Sequence, residues 1–186
     1  VIGNCFDSKK KIFKHKADSN KILFVGNIGY LPNKLACYNF SKKILPQINK
    51  TYPKIEFNIV GKINKFDKFI LSRFSNVKVH GPVKKIDNMI KKSICGISNL
   101  KVATGLQNKI FMYMSYGLPV IASKDSVPKN LIKNKKNILI YSRQDDLIKC
   151  ISELINKKKL ANLISRNSYK IVKNKLTAKK VYNKYI

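Results

Sequence analysis

The stretch GLQNKIFMYMSYGLPVIAS, Gly105 to Ser123, decides the fold. Ile110, Phe111 and Met114 recur at helical spacing and predict a short helix with its core face there, while Lys109 and Met112 share the ligand-facing side. Gly117-Leu118-Pro119 then ends the helix, and Val120-Ile121-Ala122 follows as a short apolar run. A helix that feeds a buried strand through so short a joint is half of a strand–helix–strand unit.

Working outward, the same alternation fills the chain. KILFVGN (Lys21 to Asn27), IEFNIVG (Ile55 to Gly61), NVKVHG, SICGISN, PVIAS and NILIYS read as strands. Between them lie an amphipathic helix with Cys37, Phe40, Ile44 and Ile48 at helical spacing, a lysine-rich helix with Phe66, Phe69, Ile70 and Phe74, and VKKIDNMIKK. A turn of helix is expected from Pro128 to Ile132, and helices to the end of the chain. Parallel strands cannot be joined by a tight hairpin, so this pattern predicts a Rossmann-like, doubly wound parallel α/β sheet. In such sheets ligands bind outside the carboxyl ends of the strands.

Charge is the most conspicuous compositional feature. The 186 residues carry a net charge of +30, and of 39 basic residues three are arginine (Arg73, Arg143 and Arg166), leaving 36 lysines. Arginine is the preferred reader of base edges and phosphates, and its scarcity argues against a specific nucleic-acid surface. Coding bias toward A/T-rich codons accounts for the lysine excess, which is still expected to favour proximity to anionic lipid. Cys5, Cys37, Cys95 and Cys150 lie far apart without ligand spacing, which argues against zinc and a disulfide framework and suits a reducing, cytoplasmic compartment. No apolar run is long enough to span a bilayer.

Three strands end in glycine, at Gly26 before Asn27, Gly61 before Lys62 and Gly81 before Pro82. A glycine there either permits the turn or lets a nucleotide approach bare backbone. Neither GxGxxG nor GxxxxGK[ST] is present. At the fourth joint Gly105, Leu106, Gln107, Asn108 and Lys109 start a helix, with Lys101 upstream. Unpaired amides, the helix dipole and two lysines suit a diphosphate; the alternative is a capped core helix with two solvated lysines. His15 and His80 have no carboxylate or nucleophile at catalytic spacing.

The segments VIGNCFD, KILFVGNIGYLPNKLA, FNIVGK, VKVHGPV and LKVATGLQNKIFMYMSYGLPVIAS, in this order, resemble the C-terminal half of a GT-B fold glycosyltransferase of family 4 (group 1), in a subgroup whose helix starts G-x-Q-N-K. The resemblance implies an interdomain linker over 1–15, a nucleotide-sugar-binding domain over 16–170 and a C-terminal helix over 171–186 that returns to an N-terminal domain outside this sequence. It implies that Gly26 and Asn27 line the cleft, that Gly61, Lys62 and the Gly81-Pro82-Val83 turn border the base, and that Gly105 to Lys109 hold the diphosphate. Lys101 and Lys109 would carry catalysis by clamping that leaving group, with no metal and no cofactor.

Met112 stands where the family usually has a Glu that accepts ribose hydroxyls, and Thr104 where many members have a second Glu. The expected activity is retaining transfer of a hexosyl group from a nucleoside diphosphate sugar to a glycan or lipid-linked acceptor, in cell-envelope polysaccharide synthesis at the cytoplasmic face of the membrane. The two departures keep open a second reading, a non-catalytic relative that serves as a binding module.

Overall fold

The computed structural model describes residues 13–16, 18–100, 107–127 and 132–176. Six parallel strands form one sheet: β1 (Lys21–Val25), β2 (Glu56–Val60), β3 (Val77–Gly81), β4 (Ser93–Ser98), β5 (Val120–Ser123) and β6 (Leu139–Tyr141). Their order is β3-β2-β1-β4-β5-β6, so the chain reverses direction across the sheet between β1 and β4. Every residue of β4 and β5 is buried, as a sheet covered on both faces requires. This is the doubly wound architecture expected from the alternation of elements.

Two apolar clusters cover the two faces. On one, Ile22 and Phe24 of β1 meet Cys37, Phe40, Ile44 and Ile48. These belong to α1 (Leu31–Asn39) and α2 (Leu45–Thr51), which are joined by a π-helical turn, Phe40–Ile44. Pro46 accounts for that turn: proline has no N–H to donate and its ring crowds the preceding turn, and here Leu45 N–H reaches back five residues to the Phe40 carbonyl. On the other face Leu23 and Val60 meet Ile90 of α4 (Asp87–Lys91) and Ile110, Phe111, Tyr113 and Met114 of α5 (Asn108–Ser115). The chain closes with α6 (Gln144–Asn156) and α7 (Lys158–Lys175), which runs unbroken across position 170.

The lysine-rich helix α3 (Lys65–Ser72) buries Asp67 and Leu71 rather than its own aromatic residues. Phe66 is 70% exposed and Phe69 62%, whereas Asp67 is 2% exposed and Leu71 fully buried. Asn64 caps the helix by accepting from Asp67 N–H at 2.7 Å and donating to Asp67 Oδ2 at 2.7 Å, and Lys34 of α1 pairs with the same carboxylate at 2.7 Å. These partners compensate the carboxylate for lost water and rotate the helix away from an all-aromatic core face.

Ile132 is buried, while the rest of the expected 128–132 helical turn lies outside the described residues, as do Cys5 and the expected tail helix beyond 176. Cys37 and Cys95 are buried and Cys150 half-buried; all three are free, and burial raises their thiol pKa values. No helix among the described residues is long and apolar enough to cross a membrane, and no group of metal-ligating side chains occurs among them.

Candidate functional site

The reversal between β1 and β4 opens a crevice at the carboxyl end of the sheet. β1 pairs with β4 as far as Leu23 opposite Gly96, whereas it stays with β2 to Val25 opposite Val60. Where β1 and β4 part, the Tyr113 hydroxyl of α5 accepts from Val25 N–H at 2.7 Å and donates to the Leu23 carbonyl at 3.3 Å. A backbone donor freed by the divergence is thereby satisfied from the facing helix.

Lys109 crosses this crevice. Its helix covers the face of the sheet opposite α1, yet its ammonium donates to Asn33 Oδ1 of α1 at 2.6 Å and lies 4.1 Å from the centre of the Phe24 ring. Asn33, 7% exposed, donates in turn to the Asn27 carbonyl at 2.9 Å. That carbonyl also accepts from Tyr30 N–H, and the Asn27 side chain accepts from Gly29 N–H at 3.0 Å, which sets the turn between β1 and α1. Lys109 has no carboxylate partner among the described residues. Burial lowers its pKa to about 8, with Cys37 opposing the shift.

Beside the crevice an open pocket of about 620 Å³ has apolar walls in Val25, Val60, Pro82, Val83 and Ile86 and is also lined by Gly61, Lys84, Lys85, Asp87 and Tyr116. The three strand-end glycines, of which Gly61 lines this pocket, differ in their causes. Gly61 has φ +139°, and a Cβ there would run into the Gly26 carbonyl oxygen. Gly81 has φ +66° and open space around it, so its backbone conformation, rather than crowding, favours glycine. Gly26 has neither constraint, but a Cβ on it would stand 3.0 Å from Asn33 Nδ2. Gly61 N–H donates to the Gly81 carbonyl at 2.9 Å and Ile28 N–H to the Lys62 carbonyl at 2.7 Å, which locks the three loops together.

Of the residues singled out in the sequence, Gly61, Pro82 and Val83 line the pocket, and Asn27 joins Lys109 through Asn33. Gln107 stands at the N-terminal boundary of α5 without a side-chain cap, and Asn108 is exposed in its first turn. Lys109 and Met112 are both half-buried; Lys109 turns to Phe24, whereas Met112 packs against the buried cluster that includes Leu23, Val60 and Phe111, as Val25 and Val83 also do. Lys101, Thr104, Gly105 and Leu106 lie outside the described residues. His80 sits in β3 and hydrogen-bonds Asn58 Oδ1 at 2.7 Å, with its pKa lowered chiefly by burial; His15 reaches the Leu154 carbonyl at 3.3 Å.

Sequence reasoning missed Asn33, Phe24 and Tyr113. Gly96 carried the one available signal, a lone glycine inside an apolar strand, which marks close approach of another group. Asn33 and Lys109 are 76 positions apart, and no local pattern joins them.

The family described as glycosyl transferases group 1 matches residues 19–157. No curated protein matches the sequence. Among solved structures, TarM of S. aureus, in complex with fondaparinux, alpha-GlcNAc-glycerol and UDP, superposes with a TM-score of 0.75 at 14% identity, over 100% of this chain and 37% of that one. HepE of Anabaena, in complex with UDP and glucose, gives 0.71 at 13% identity, over 91% of this chain and 48% of that one. The C-terminal domain of LpcC, a group 1 family glycosyl transferase of Francisella tularensis, gives 0.70 at 17% identity, over 86% and 87% of the two chains. The chain therefore spans 37% of TarM and 48% of HepE, and at these identities the likeness is one of fold.

Proposed function

The chain belongs to the group 1 glycosyl transferases, and we propose that it is the donor-binding half of a retaining enzyme that moves a hexosyl group from a nucleoside diphosphate sugar to a glycan or lipid-linked acceptor. The observation that carries this reading is the adjacency of two sites at the carboxyl end of the sheet. A half-buried lysine with no carboxylate partner among the described residues stands in the crevice, and an open pocket with both apolar and charged walls lies next to it. The first suits a diphosphate and the second a base and ribose. UDP in the TarM and HepE structures supports a nucleotide at this kind of fold.

In the proposed reaction the glycosyl–phosphate bond breaks, a bond to the acceptor's hydroxyl oxygen forms on the same face of the sugar, and the hydroxyl proton leaves with the departing diphosphate. Negative charge grows on the departing nucleoside diphosphate, and Lys109, with Lys101 and the start of α5, stabilises it there. Such preorganised charge acts without solvent reorganisation. The acceptor and the remaining catalytic groups belong to the N-terminal half. The G-x-Q-N-K subgroup and a place at the cytoplasmic face of the membrane belong to the same proposal; the latter is supported by exposed Phe66 and Phe69 beside Lys65 and Lys68.

Met112 favours one further reading. Half-buried against apolar neighbours, it offers a thioether where a ribose would need a strong acceptor, as in a relative that keeps the fold as a binding module. Calorimetric titration of the 186-residue chain with UDP, GDP, ADP and pyrophosphate, at moderate and high salt, separates the readings. Selective binding of one nucleoside diphosphate that survives salt and is lost in Lys109→Ala is the expected result. Absence of any nucleotide binding points to the module. Equal binding of all four that fades with salt makes the lysines a diffuse polyanion surface.

A further inference from the structure

Asn33 touches both sides of the crevice. Its Oδ1 accepts from Lys109 and its Nδ2 donates to the Asn27 carbonyl, and the missing side chain of Gly26 leaves it room to do so. We propose that Asn33 is a positioning residue for the diphosphate of the donor: it fixes the Lys109 ammonium in the crevice between β1 and β4 and ties it to the turn after β1. This inference rests on the donor-binding reading above.

Three features carry it. The acceptor is neutral, so Asn33 orients the ammonium without cancelling its charge, which an aspartate would do. An ammonium has three donors; Asn33 takes one and the Phe24 ring faces the cation, which leaves capacity for an anion. Finally, Asn33 is itself held by the backbone carbonyl of Asn27, whose turn is closed by Tyr30 and Gly29 amides. Lysine carries four rotatable bonds, and a lysine pinned at both stem and head loses less entropy when an anion arrives.

The test is a double-mutant cycle on the 186-residue chain. UDP and GDP are each titrated against their own nucleoside, uridine and guanosine, with Asn33→Ala, Asn33→Asp, Lys109→Ala and the double variants. Positioning predicts that either Asn33 variant loses the preference for diphosphate over nucleoside by about tenfold or more and keeps its affinity for the nucleoside, and that Asn33→Ala has no further effect once Lys109 is alanine. Asn33→Asp keeps the side-chain shape and serves where Asn33→Ala does not fold; its carboxylate also repels the anion directly, so it is read with Lys109 present. A preference untouched by Asn33 variants, or an Asn33→Ala effect that adds to that of Lys109→Ala, overturns the proposal while the donor reading stands. A wild-type chain without any preference for the diphosphate overturns both.

Discussion

The ring of Tyr113 lies directly on the backbone of Gly96: a Cβ built on that glycine would stand 2.5 Å from the ring. The contact lets the Tyr113 hydroxyl reach through to β1, where it satisfies Val25 N–H at the point where β1 leaves β4. Crevice shape and core packing are therefore the same feature. Gly96→Ala is expected to cost about 1 to 3 kcal/mol, the usual penalty for overpacking a core, because the buried ring has nowhere to retreat. Tyr113→Phe keeps the ring but leaves a backbone amide without its partner, and is expected to cost about 1 to 3 kcal/mol. Urea unfolding of both variants measures this; wild-type stability in either would contradict the packing described.

On α3 the buried carboxylate is expected to matter more than the exposed aromatics. Asp67→Ala removes the partner of both Lys34 and Asn64, and should lower stability by about 1 to 3 kcal/mol. Phe66→Ser and Phe69→Ser, at exposed positions, should fall within about 0.5 kcal/mol of wild type. Thermal unfolding of the three variants gives the ranking. A helix with its aromatic residues inward would give the reverse order.

These two cases show what could and could not be read in advance. The strands and their order of appearance were legible because a parallel sheet buried on both faces leaves continuous apolar runs, such as KILFV and VIAS, between short joints. The lysine of the α5 start and the strand-end glycines were legible as types of residue at strand and helix ends. The face of α3 was not, because apolar spacing alone ranks Phe66 and Phe69 above a carboxylate whose burial depends on Lys34, 33 positions away. Nor was the direction of Lys109, which is set by Asn33 and Phe24 across the crevice rather than by its own helix.

Lys109 also predicts a pH dependence. Its pKa is about 8 in the folded chain against an ordinary 10.5. Below pH 8 both folded and unfolded chains hold the proton, and the folded state bears the cost of burying the charge. Between pH 8 and 10.5 only the unfolded chain keeps it, so stability rises with pH across that window and levels off above it. The contribution is at most about 3 kcal/mol and is expected to disappear in Lys109→Met, read as the difference between two pH–stability curves. Binding has the opposite sign: a diphosphate holds the amine protonated, so its affinity should weaken as pH rises through 8. Calorimetry at pH 8 in two buffers of different ionisation enthalpy should record proton uptake on binding, which Lys109→Met abolishes.

Met112 separates contacts to the ribose from contacts to the phosphates. It is half-buried on the same apolar cluster against which Val25 and Val83 of the pocket wall also pack, so a glutamate of similar length there is part-exposed rather than enclosed in the core. A carboxylate accepting sugar hydroxyls is a charge-assisted contact, and Met112→Glu is expected to tighten nucleoside diphosphate binding by about 1.5 to 3 kcal/mol. Pyrophosphate has no ribose, so its affinity should stay level or fall slightly, because the new negative charge stands near the anion. Titrating UDP, GDP and pyrophosphate into wild type and Met112→Glu distinguishes the two contributions. A parallel change in all three would mean that position 112 acts through the overall field and that the ribose lies elsewhere; a gain confined to the nucleotides places the ribose beside the middle of α5.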